Sequence, residues 1–297
     1  MKDARIGLVG VGLMGHGIAA SILRHGHALT LLEHPGNQPL GDLLAAGAST
    51  VSTAAELARK VDVLILCVTG SPQVEDVLFR RDGVLEGLRA GAIVIDCSTA
   101  IPSSTARIAG AVEQAGGLFL DAPMTRTPKE AAEGRLNLIV GGDHAVYERC
   151  LPLLRCYAEN IVYAGKTGTG HQLKLLHNYV SLGFSTVLAE AAACARKAGI
   201  DPEVFTDILA NGGGGGVVLE RLGPYIEKGD ASGFRFSMSN ALKDMGYYNA
   251  MAQEAGAAQS AAQAIERVYA DACQAGLAQQ AVPELIPYLT DRKPDTP

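Results

Sequence analysis

The sequence has no tryptophan, and aromatic residues make up only 5% of its 297 residues. It has no run rich in lysine or arginine either, and its formal net charge is -6. Proteins that bind nucleic acid usually present a concentrated basic surface. We therefore do not expect a nucleic-acid partner.

Long hydrophobic runs are also missing. No stretch of about 18 apolar residues, the length that spans a membrane, is without charged residues or glycines. The chain begins Met1-Lys2-Asp3-Ala4-Arg5 and leads directly into a predicted strand, without the apolar core of a signal peptide. We expect a cytoplasmic protein with no membrane partner.

The cysteines form no C-x-x-C pair and have no histidine nearby at ligand spacing. They are Cys67, Cys97, Cys150, Cys156, Cys194 and Cys273. Such dispersed cysteines indicate neither a zinc site nor a disulfide framework. We expect reduced, mostly buried thiols and no metal ion.

Hydrophobic residues, in contrast, make up 48% of the chain, enough at this length for two cores of ordinary size. Up to about Ala164, short β-branched runs alternate with Ala/Leu-rich helical stretches; the runs are "RIGLVG", "ALTLLE", "VDVLILCV", "AIVIDCS", "LFLDAP" and "NLIVGG". This alternation predicts a mostly parallel, doubly wound α/β sheet covered by helices. From His171 on, the sequence predicts helices almost throughout, beginning with a long helix over 170–198 that ends at a glycine cap.

A glycine motif, Gly10-Val11-Gly12-Leu13-Met14-Gly15, follows the first predicted strand and opens a helix. Gly10 permits a tight turn, Gly12 lets a pyrophosphate approach the backbone, and Gly15 allows close helix–strand packing. G-x-G-x-x-G alone is a weak signal, but the strand–turn–helix context strengthens it. Glu33, which closes the second strand, would bind ribose hydroxyls and repel a 2'-phosphate, so NAD is favoured over NADP. The first domain, predicted over 1–164, is therefore of the Rossmann type.

The predicted long helix carries a polar stripe of residues three or four apart: His171, Lys174, Asn178, Ser181 and Ser185. Such residues share one face of a helix. A solvated face would carry several charged residues, whereas this one has a single lysine among short hydrogen-bonding groups. The stripe therefore favours a functional face over a solvated one. A lysine amine titrates at ~10.4 in water, so it needs desolvation or a neighbouring cation to act as a base near neutral pH.

Five ordered segments together resemble the β-hydroxyacid dehydrogenases, the family of 3-hydroxyisobutyrate dehydrogenase and tartronate semialdehyde reductase. They are "GLVGVGLMGHGIAASILRHGHALTLLEH", "DCSTAIPSSTARIA", "DAPMTRTPKEAAEGRLNLIVGG", "GTGHQLKLLHN" and "FRFSMSNALKDMGYYNAMA". The resemblance covers nearly the whole chain. It implies an N-terminal Rossmann-type domain, an all-helical C-terminal domain over 165–297 that supports assembly as a homodimer or homotetramer, and hydride transfer with a nicotinamide.

The resemblance also implies roles for individual residues. It makes Lys174 the catalytic acid/base, lets Asn178 orient the substrate, and gives His171 and His177 structural roles. Phe236 would line the substrate pocket. Cofactor contacts are expected from Gly10, Gly12, Leu13, Met14, Gly15, Glu33, Val68, Thr99 and Lys243. Without the resemblance, Lys243 and Asp244 would be an ordinary surface pair.

"DCST" lies at the carboxyl end of a predicted strand, where ligands bind in open α/β sheets. Ser98 and Thr99 could therefore reach the nicotinamide ribose or the substrate, and the alternative is a turn before Pro102. The resemblance favours the cofactor role for Thr99, and we assign Ser98 to the substrate.

Arg126 lies between Thr125 and Thr127 where the family has a small Ser-Gly-Gly-like segment. We expect these three residues to bind an acid group of the substrate, because a guanidinium pairs bidentately with carboxylate or sulfonate oxygens. In the alternative interpretation, Arg126 turns to solvent or pairs with Glu130 or Glu133. The run Gly212–Gly216 favours a plain flexible loop.

Three functions remain open at this point. The first is an NAD-dependent dehydrogenase or reductase of a small 3-hydroxy acid or its semialdehyde. The second is a sulfolactaldehyde reductase, since that branch of the family carries an Arg-Thr pair here and an Asn-Tyr in the long helix. The third is a dinucleotide-binding regulatory protein without catalysis, against which Lys174, Asn178 and Lys243 argue. Reductive imine chemistry is disfavoured because imine reductases of this architecture usually lack the lysine.

Overall fold

The structure is a computed structural model that describes residues 4–292. Its contacts divide the chain into two compact units, Met1–Lys174 and Leu175–Pro297. The division falls inside the long helix that follows the last strand. The domain limits predicted at 164 and 165 stay a prediction.

The first unit is built on a nine-stranded sheet. The strands are β1 (Ile6–Val9), β2 (Leu29–Leu32), β3 (Ser49–Val51), β4 (Val63–Leu66), β5 (Ile93–Asp96), β6 (Leu118–Asp121), β7 (Met124–Thr125), β8 (Leu136–Gly142) and β9 (Ala158–Gly165). Their order is β3-β2-β1-β4-β5-β6-β8-β7, with β9 also paired to β8. Strands β1 to β6 are parallel, whereas β8 runs antiparallel to β6 and β7. The predicted α/β class and all six predicted strands are confirmed.

Helices cover both faces of this sheet. They are α1 (Leu13–Arg24), α2 (Gly41–Ala45), α3 (Ala54–Lys60), α4 (Ser71–Phe79), α5 (Val84–Gly87), α6 (Pro102–Gln114), α7 (Pro128–Glu133) and α8 (His144–Leu154). Every residue of β1, β4 and β5 is buried, as expected for strands covered on both sides. One core contains Leu8 and Ile18, and the other contains Val9 and Leu57.

The strand order reverses between β1 and β4. The chain moves outward from β1 to β3 and then returns to place β4 on the other side of β1. In open parallel sheets, this reversal opens a crevice at the carboxyl ends of the strands, where ligands bind. The glycine turn after β1 and the loops after β4 and β5 lie at that edge.

The second unit is helical. The long helix α9 (Thr169–Lys197) begins in the first unit, and α10 (Pro202–Ala210), α11 (Val217–Lys228), α12 (Met238–Glu254), α13 (Ser260–Ala272) and α14 (Leu285–Asp291) follow it. A π-turn (Cys273–Leu277) and a 3-10 turn (Val282–Glu284) separate the last two. Leu182, Met245 and Tyr269 belong to the core. Among residues 4–292, no helix has the length and apolar character needed to cross a membrane.

Candidate functional site

In the turn between β1 and α1, two of the three motif glycines have no room for a side chain. Gly10 has a φ of +89°, and a Cβ there would collide with the carbonyl oxygen of Cys67. A Cβ on Gly15 would collide with the carbonyl oxygen of Gly10. Gly10 and Gly15 therefore fix the turn sterically, as their positions in the motif predict.

Gly12 differs from both, because a Cβ there would meet nothing within 4 Å. It is the N-cap of α1, and within the described residues no side chain caps this helix end. The first amides of the helix therefore remain available to an anion, and Leu13 beside them is 65% exposed. The residues present fit a dinucleotide pyrophosphate at this turn.

Glu33 lies exposed just after β2. It borders a shallow surface depression that is also lined by His34, Pro35, Asn37, Gln38, Leu40 and Ser52. One carboxylate oxygen accepts a hydrogen bond from the Thr50 hydroxyl at 2.7 Å. A carboxylate has about four acceptor positions, so this contact leaves capacity for a ribose.

Asn37 joins this depression to the glycine turn, a role that the sequence did not reveal. Its Oδ1 accepts from the amide of Val11 at 3.2 Å, and its Nδ2 donates to the carbonyl of Leu32 at 2.9 Å. The amide of Gln38 also donates to the carbonyl of Val11 at 2.7 Å. These bonds hold the loop after β2 against the turn after β1.

The loops after β4 and β5 are joined by Ser98. Its hydroxyl oxygen accepts from the amide of Val68 at 3.1 Å, and its own amide donates to Asp96 Oδ1 at 2.9 Å. The Ser98 side chain, predicted to bind substrate, is thus engaged in the protein and is only 3% exposed as a residue. Thr99 and Val68 are half-buried at the same edge.

The start of α9 is bonded to the sheet by Asp121, the last residue of β6. This fully buried carboxylate accepts from the amide of Gly168 at 2.7 Å and from the amide of His171 at 2.9 Å. Gly141 and Gly170 pack so closely that a Cβ on either would lie 2.7 Å from a carboxylate oxygen of Asp121. Asp121 therefore caps α9 with both carboxylate oxygens. Only glycine fits at the two positions that pack against this carboxylate.

His171 makes the second connection. Its Nε2 is 3.1 Å from the carbonyl oxygen of Ser98 and its Nδ1 is 2.8 Å from the hydroxyl of Thr105. Since a carbonyl only accepts, Nε2 carries a hydrogen and donates it to Ser98, while the Thr105 hydroxyl beside Nδ1 also donates to the carbonyl of Ile101 at 3.2 Å. Burial raises the pKa of Asp96, whose Oδ2 lies 3.9 Å from Nε2. These contacts fit the structural role expected for this histidine.

Lys174 follows one turn later on α9 and is half-buried. One hydroxyl of the predicted stripe bonds to its own helix, since Ser185 Oγ donates to the backbone carbonyl of Ser181 at 2.8 Å. His177 lies on a more exposed face of the helix, and its Nδ1 is 3.0 Å from Asn178 Oδ1.

In the second unit, Asn178 is held by Asp244. Its Nδ2 donates to Asp244 Oδ2 at 2.6 Å, and Lys243 Nζ lies 3.1 Å from Asp244 Oδ1. Asp244 is only 2% exposed. The interpretation of Lys243 and Asp244 as an ordinary surface pair is therefore wrong, because Asp244 joins α12 to α9 from within the core. Phe236 is half-buried and packs on that core.

Arg126 occupies a backbone conformation that normally requires glycine, with a φ of +83°. Its Nη1 donates to the carbonyl oxygen of Arg135 and to Glu159 Oε2, the latter at 2.5 Å. The alternative prediction, that Arg126 pairs with Glu130 or Glu133, is wrong. Glu130 instead forms a capping box with Thr127, and Glu133 pairs with Arg135.

The two threonines beside Arg126 also have local partners. Thr127 is the N-cap of α7 and its hydroxyl donates to Glu130 at 2.5 Å. Thr125 Oγ1 accepts from Asn137 Nδ2 at 3.0 Å, which leaves its own hydroxyl hydrogen for another acceptor. Substrate binding by Thr125, Arg126 and Thr127 stays a prediction.

The Gly212–Gly216 run connects α10 to α11. A Cβ on Gly214 would lie 2.6 Å from the Leu209 side chain, and Gly216 has a φ of +126°. The run is a tight connection between two helices, with backbone conformations that glycine permits.

Comparison with known proteins agrees with this geometry. Residues 5–165 match the model of the NAD binding domain of 6-phosphogluconate dehydrogenase. Residues 168–289 match that of the NAD-binding region of NADP-dependent 3-hydroxyisobutyrate dehydrogenase. The chain is also 35% identical to 2-hydroxy-3-oxopropionate reductase of Escherichia coli over 73% of each protein. The chain belongs to the β-hydroxyacid dehydrogenase family.

Two further β-hydroxyacid dehydrogenase relatives extend the likeness along the chain. A crystal structure of 3-hydroxyisobutyrate dehydrogenase from Salmonella typhimurium superposes with a TM-score of 0.85 at 29% identity, covering 96% of this chain and all (100%) of that one. The 3-sulfolactaldehyde reductase of Escherichia coli is 29% identical over 93% of each protein.

As a β-hydroxyacid dehydrogenase, the chain is an oxidoreductase that uses NAD and acts on the hydroxyl groups of hydroxy acids. The predicted family, cofactor and enzyme class are confirmed. The roles of individual residues stay predictions. Sequence reasoning missed Asn37, Asp121 and Asp244, each of which binds a partner far away along the chain.

Proposed function

We propose that this β-hydroxyacid dehydrogenase transfers a hydride between NAD and a small anionic 3-hydroxy acid or its semialdehyde, with Lys174 as the acid/base. The nicotinamide, when bound, accepts or supplies the hydride. The reaction also requires that the hydroxyl proton leave the substrate during oxidation and return during reduction. Lys174 Nζ would take and return that proton, and its cationic form would polarise the carbonyl.

One observation carries this proposal. The helix of Lys174 is bonded at its first turn to the carboxyl ends of β5 and β6, through His171 to Ser98 and through Asp121 to the helix amides. That edge of the sheet is where a dinucleotide binds in this fold. A lysine one turn from a doubly bonded helix start has a restricted position, which suits proton transfer.

Asn178 is the second group proposed to act on the substrate, by orienting its oxygen atoms. Its Nδ2 donates to the buried Asp244, and this bond restricts the rotation of the amide. Lys243, on the other oxygen of Asp244, is proposed to contact the cofactor. Retention of these groups argues against a regulatory protein without catalysis.

The proposal is tested by following the absorbance of reduced nicotinamide. Purified protein is offered 3-hydroxyisobutyrate, L-serine, dihydroxypropane sulfonate and glycerol, each with NAD and then NADP. We expect turnover of anionic hydroxy compounds with NAD, and poor turnover of glycerol. Equal turnover of glycerol and the anions, or no oxidation of any of them and no reduction of the matching aldehydes, would contradict the proposal.

A sulfonate substrate is the second candidate, because Arg126-Thr127 and Asn178-Tyr179 match the pairs carried by the sulfolactaldehyde reductase branch of the family. The chain accepts a φ of +83° at Arg126, a non-glycine residue. Such strain of about 1–3 kcal/mol usually persists where function requires the side chain. A guanidinium binds the oxygens of a sulfonate as well as those of a carboxylate. Preference for dihydroxypropane sulfonate over the carboxylates in the same assay would support this candidate.

We propose that the protein assembles as a homodimer or homotetramer. The second unit exposes several large apolar side chains, among them Val180 at 69%, Val187 at 60% and Ile208 at 68%. Val180 and Val187 are two turns apart on α9, so they lie on one face. Burial of such a face in a second copy would remove it from water. Light scattering of the purified protein tests this, and the cytoplasmic location stays a prediction.

A further inference from the structure

Arg126 has two properties that must be explained together. Its backbone is held in the left-handed region at a φ of +83°, and its guanidinium is nevertheless directed to partners within the protein. The backbone conformation fixes the position of the Arg126 Cβ atom, whereas the side-chain torsion angles determine which anion the guanidinium binds. Both contacts use Nη1, so a substrate acid group that pairs bidentately through this nitrogen must displace Glu159 from it.

The partner that it would exchange is Glu159, the second residue of β9. Glu159 Oε2 is 2.5 Å from Arg126 Nη1, and the Arg126 guanidinium lowers the pKa of this carboxyl. The side chains differ in exposure, 25% for Arg126 and 50% for Glu159. Glu159 is thus already well solvated, so breaking its ion pair with Arg126 would cost little free energy. Arg126 would keep its partly buried position.

The neighbouring charges do not offer Arg126 an equivalent partner among residues 4–292. Glu130 is bound by the hydroxyl and amide of Thr127 in a capping box. Glu133 is paired with the guanidinium of Arg135, which also lowers the pKa of Glu159 from further away. Lys129 is exposed on the same segment. Glu159 is therefore the carboxylate with which a substrate acid group must compete.

We propose that Glu159 is a specificity-determining residue that occupies Arg126 until an anionic substrate displaces it. This inference rests on the proposed function, in which Arg126 binds the acid group of the substrate. Glu159 itself does not touch the substrate and acts through Arg126. An uncharged substrate has nothing to offer the guanidinium, so it leaves Arg126 on Glu159 and gains no contact. A carboxylate or sulfonate replaces one anion by another and keeps the cation neutralised.

The expected size follows from the exposure of the pair. Exposed ion pairs contribute little, so removal of the competing charge should improve the KM of an anionic substrate by only about two- to five-fold. The kcat should not change, because the substrate displaces Glu159 from Arg126 before the chemical step begins. Loss of Arg126 itself should lower kcat/KM by roughly ten- to a hundred-fold, since a hydrogen bond to a charged group is stronger than an exposed pair.

The test compares Glu159→Gln with Glu133→Gln, which removes the same charge from the same region but from Arg135. Each is assayed with 3-hydroxyisobutyrate, dihydroxypropane sulfonate and glycerol, beside Arg126→Ala. We expect Glu159→Gln to lower the KM of at least one anion two- to five-fold, with kcat and glycerol turnover unchanged and Glu133→Gln like the wild type. Circular dichroism and thermal melting confirm that each variant is folded.

The outcomes separate the two proposals. If Arg126→Ala impairs the anions but Glu159→Gln leaves their KM unchanged, Arg126 binds substrate and the competition by Glu159 is refuted. Equal effects of Glu159→Gln and Glu133→Gln would also refute it, because a general change in charge would then explain both. If Arg126→Ala has no effect on any substrate, both the anion-binding role of Arg126 and the role of Glu159 are wrong.

Discussion

The most demanding structural prediction concerns Asp121→Asn. In the wild type, both carboxylate oxygens accept buried amide hydrogens at the start of α9, at 2.7 Å from Gly168 and 2.9 Å from His171. An asparagine can accept from one amide, but its NH2 group then faces the other. Gly141 and Gly170 leave no space for the side chain to turn away. One charged hydrogen bond is lost and one buried donor is unpaired, which should cost about 2–4 kcal/mol of unfolding free energy.

Urea denaturation followed by circular dichroism measures this loss, and steady-state kinetics follow its effect on turnover. Asp143→Asn is the control, because Asp143 also caps a helix, accepting from the amide of Val146 in α8, but is exposed. Asparagine and aspartate are almost equally good exposed caps, so the control should change stability by only a few tenths of a kcal/mol. We expect Asp121→Asn to lower kcat as well, because it loosens the helix of Lys174. Wild-type stability and wild-type kcat for Asp121→Asn would refute the proposed anchoring.

Three further predictions concern the cofactor and pH. Gly12→Ala should leave thermal stability nearly unchanged, since its Cβ meets nothing within 4 Å. It should nevertheless raise the Kd for NAD at least about ten-fold, because the added methyl group blocks the pyrophosphate. Titration calorimetry measures this Kd, and unaltered NAD binding would refute the assigned phosphate site. Glu33→Ala should narrow the preference for NAD over NADP in kcat/KM, and a wild type that prefers NADP would contradict the role of Glu33. Hydrogen bonds from Arg5 hold the pKa of Asp62 well below its usual range, so its contribution to stability is complete above pH ~3.9 and is lost as the pH falls further. Asp62→Asn should accordingly flatten the acid side of the stability profile, and a profile as steep as the wild type's would show that Asp62 is not its source.

Much of the fold could be predicted because the relevant signals are local in the sequence. A parallel strand covered on both sides needs a continuous apolar run, and six such runs were sufficient to place the main sheet. The glycine turn was predictable for a similar reason, since Gly10 and Gly15 are each excluded from carrying a Cβ by atoms of the turn or its neighbouring strand. The short strand Ser49–Val51 carries two hydroxyl residues and gave no comparable apolar signal.

The site could be predicted only in part, because several of its contacts join distant segments. Asp121 binds amides 47 and 50 residues away, and Asn178 binds Asp244 at a separation of 66 residues. Arg126 was recognised as unusual from its small neighbours, but its partner Glu159 lies 33 residues further along the chain, on another strand. Residue types and spacing suggest which groups perform chemistry, whereas the sheet register determines which groups hold them.

The most direct test of the central claim is Lys174→Ala. Single-turnover kinetics follow the absorbance of reduced nicotinamide, while calorimetry measures NAD binding to the same preparation. If Lys174 moves the proton, the rate of the chemical step should fall by ~10²–10⁴, the usual contribution of a positioned acid/base, and the Kd for NAD should change little. A chemical step at a near-normal rate in Lys174→Ala, with NAD bound normally, would contradict the account and assign proton transfer to another group.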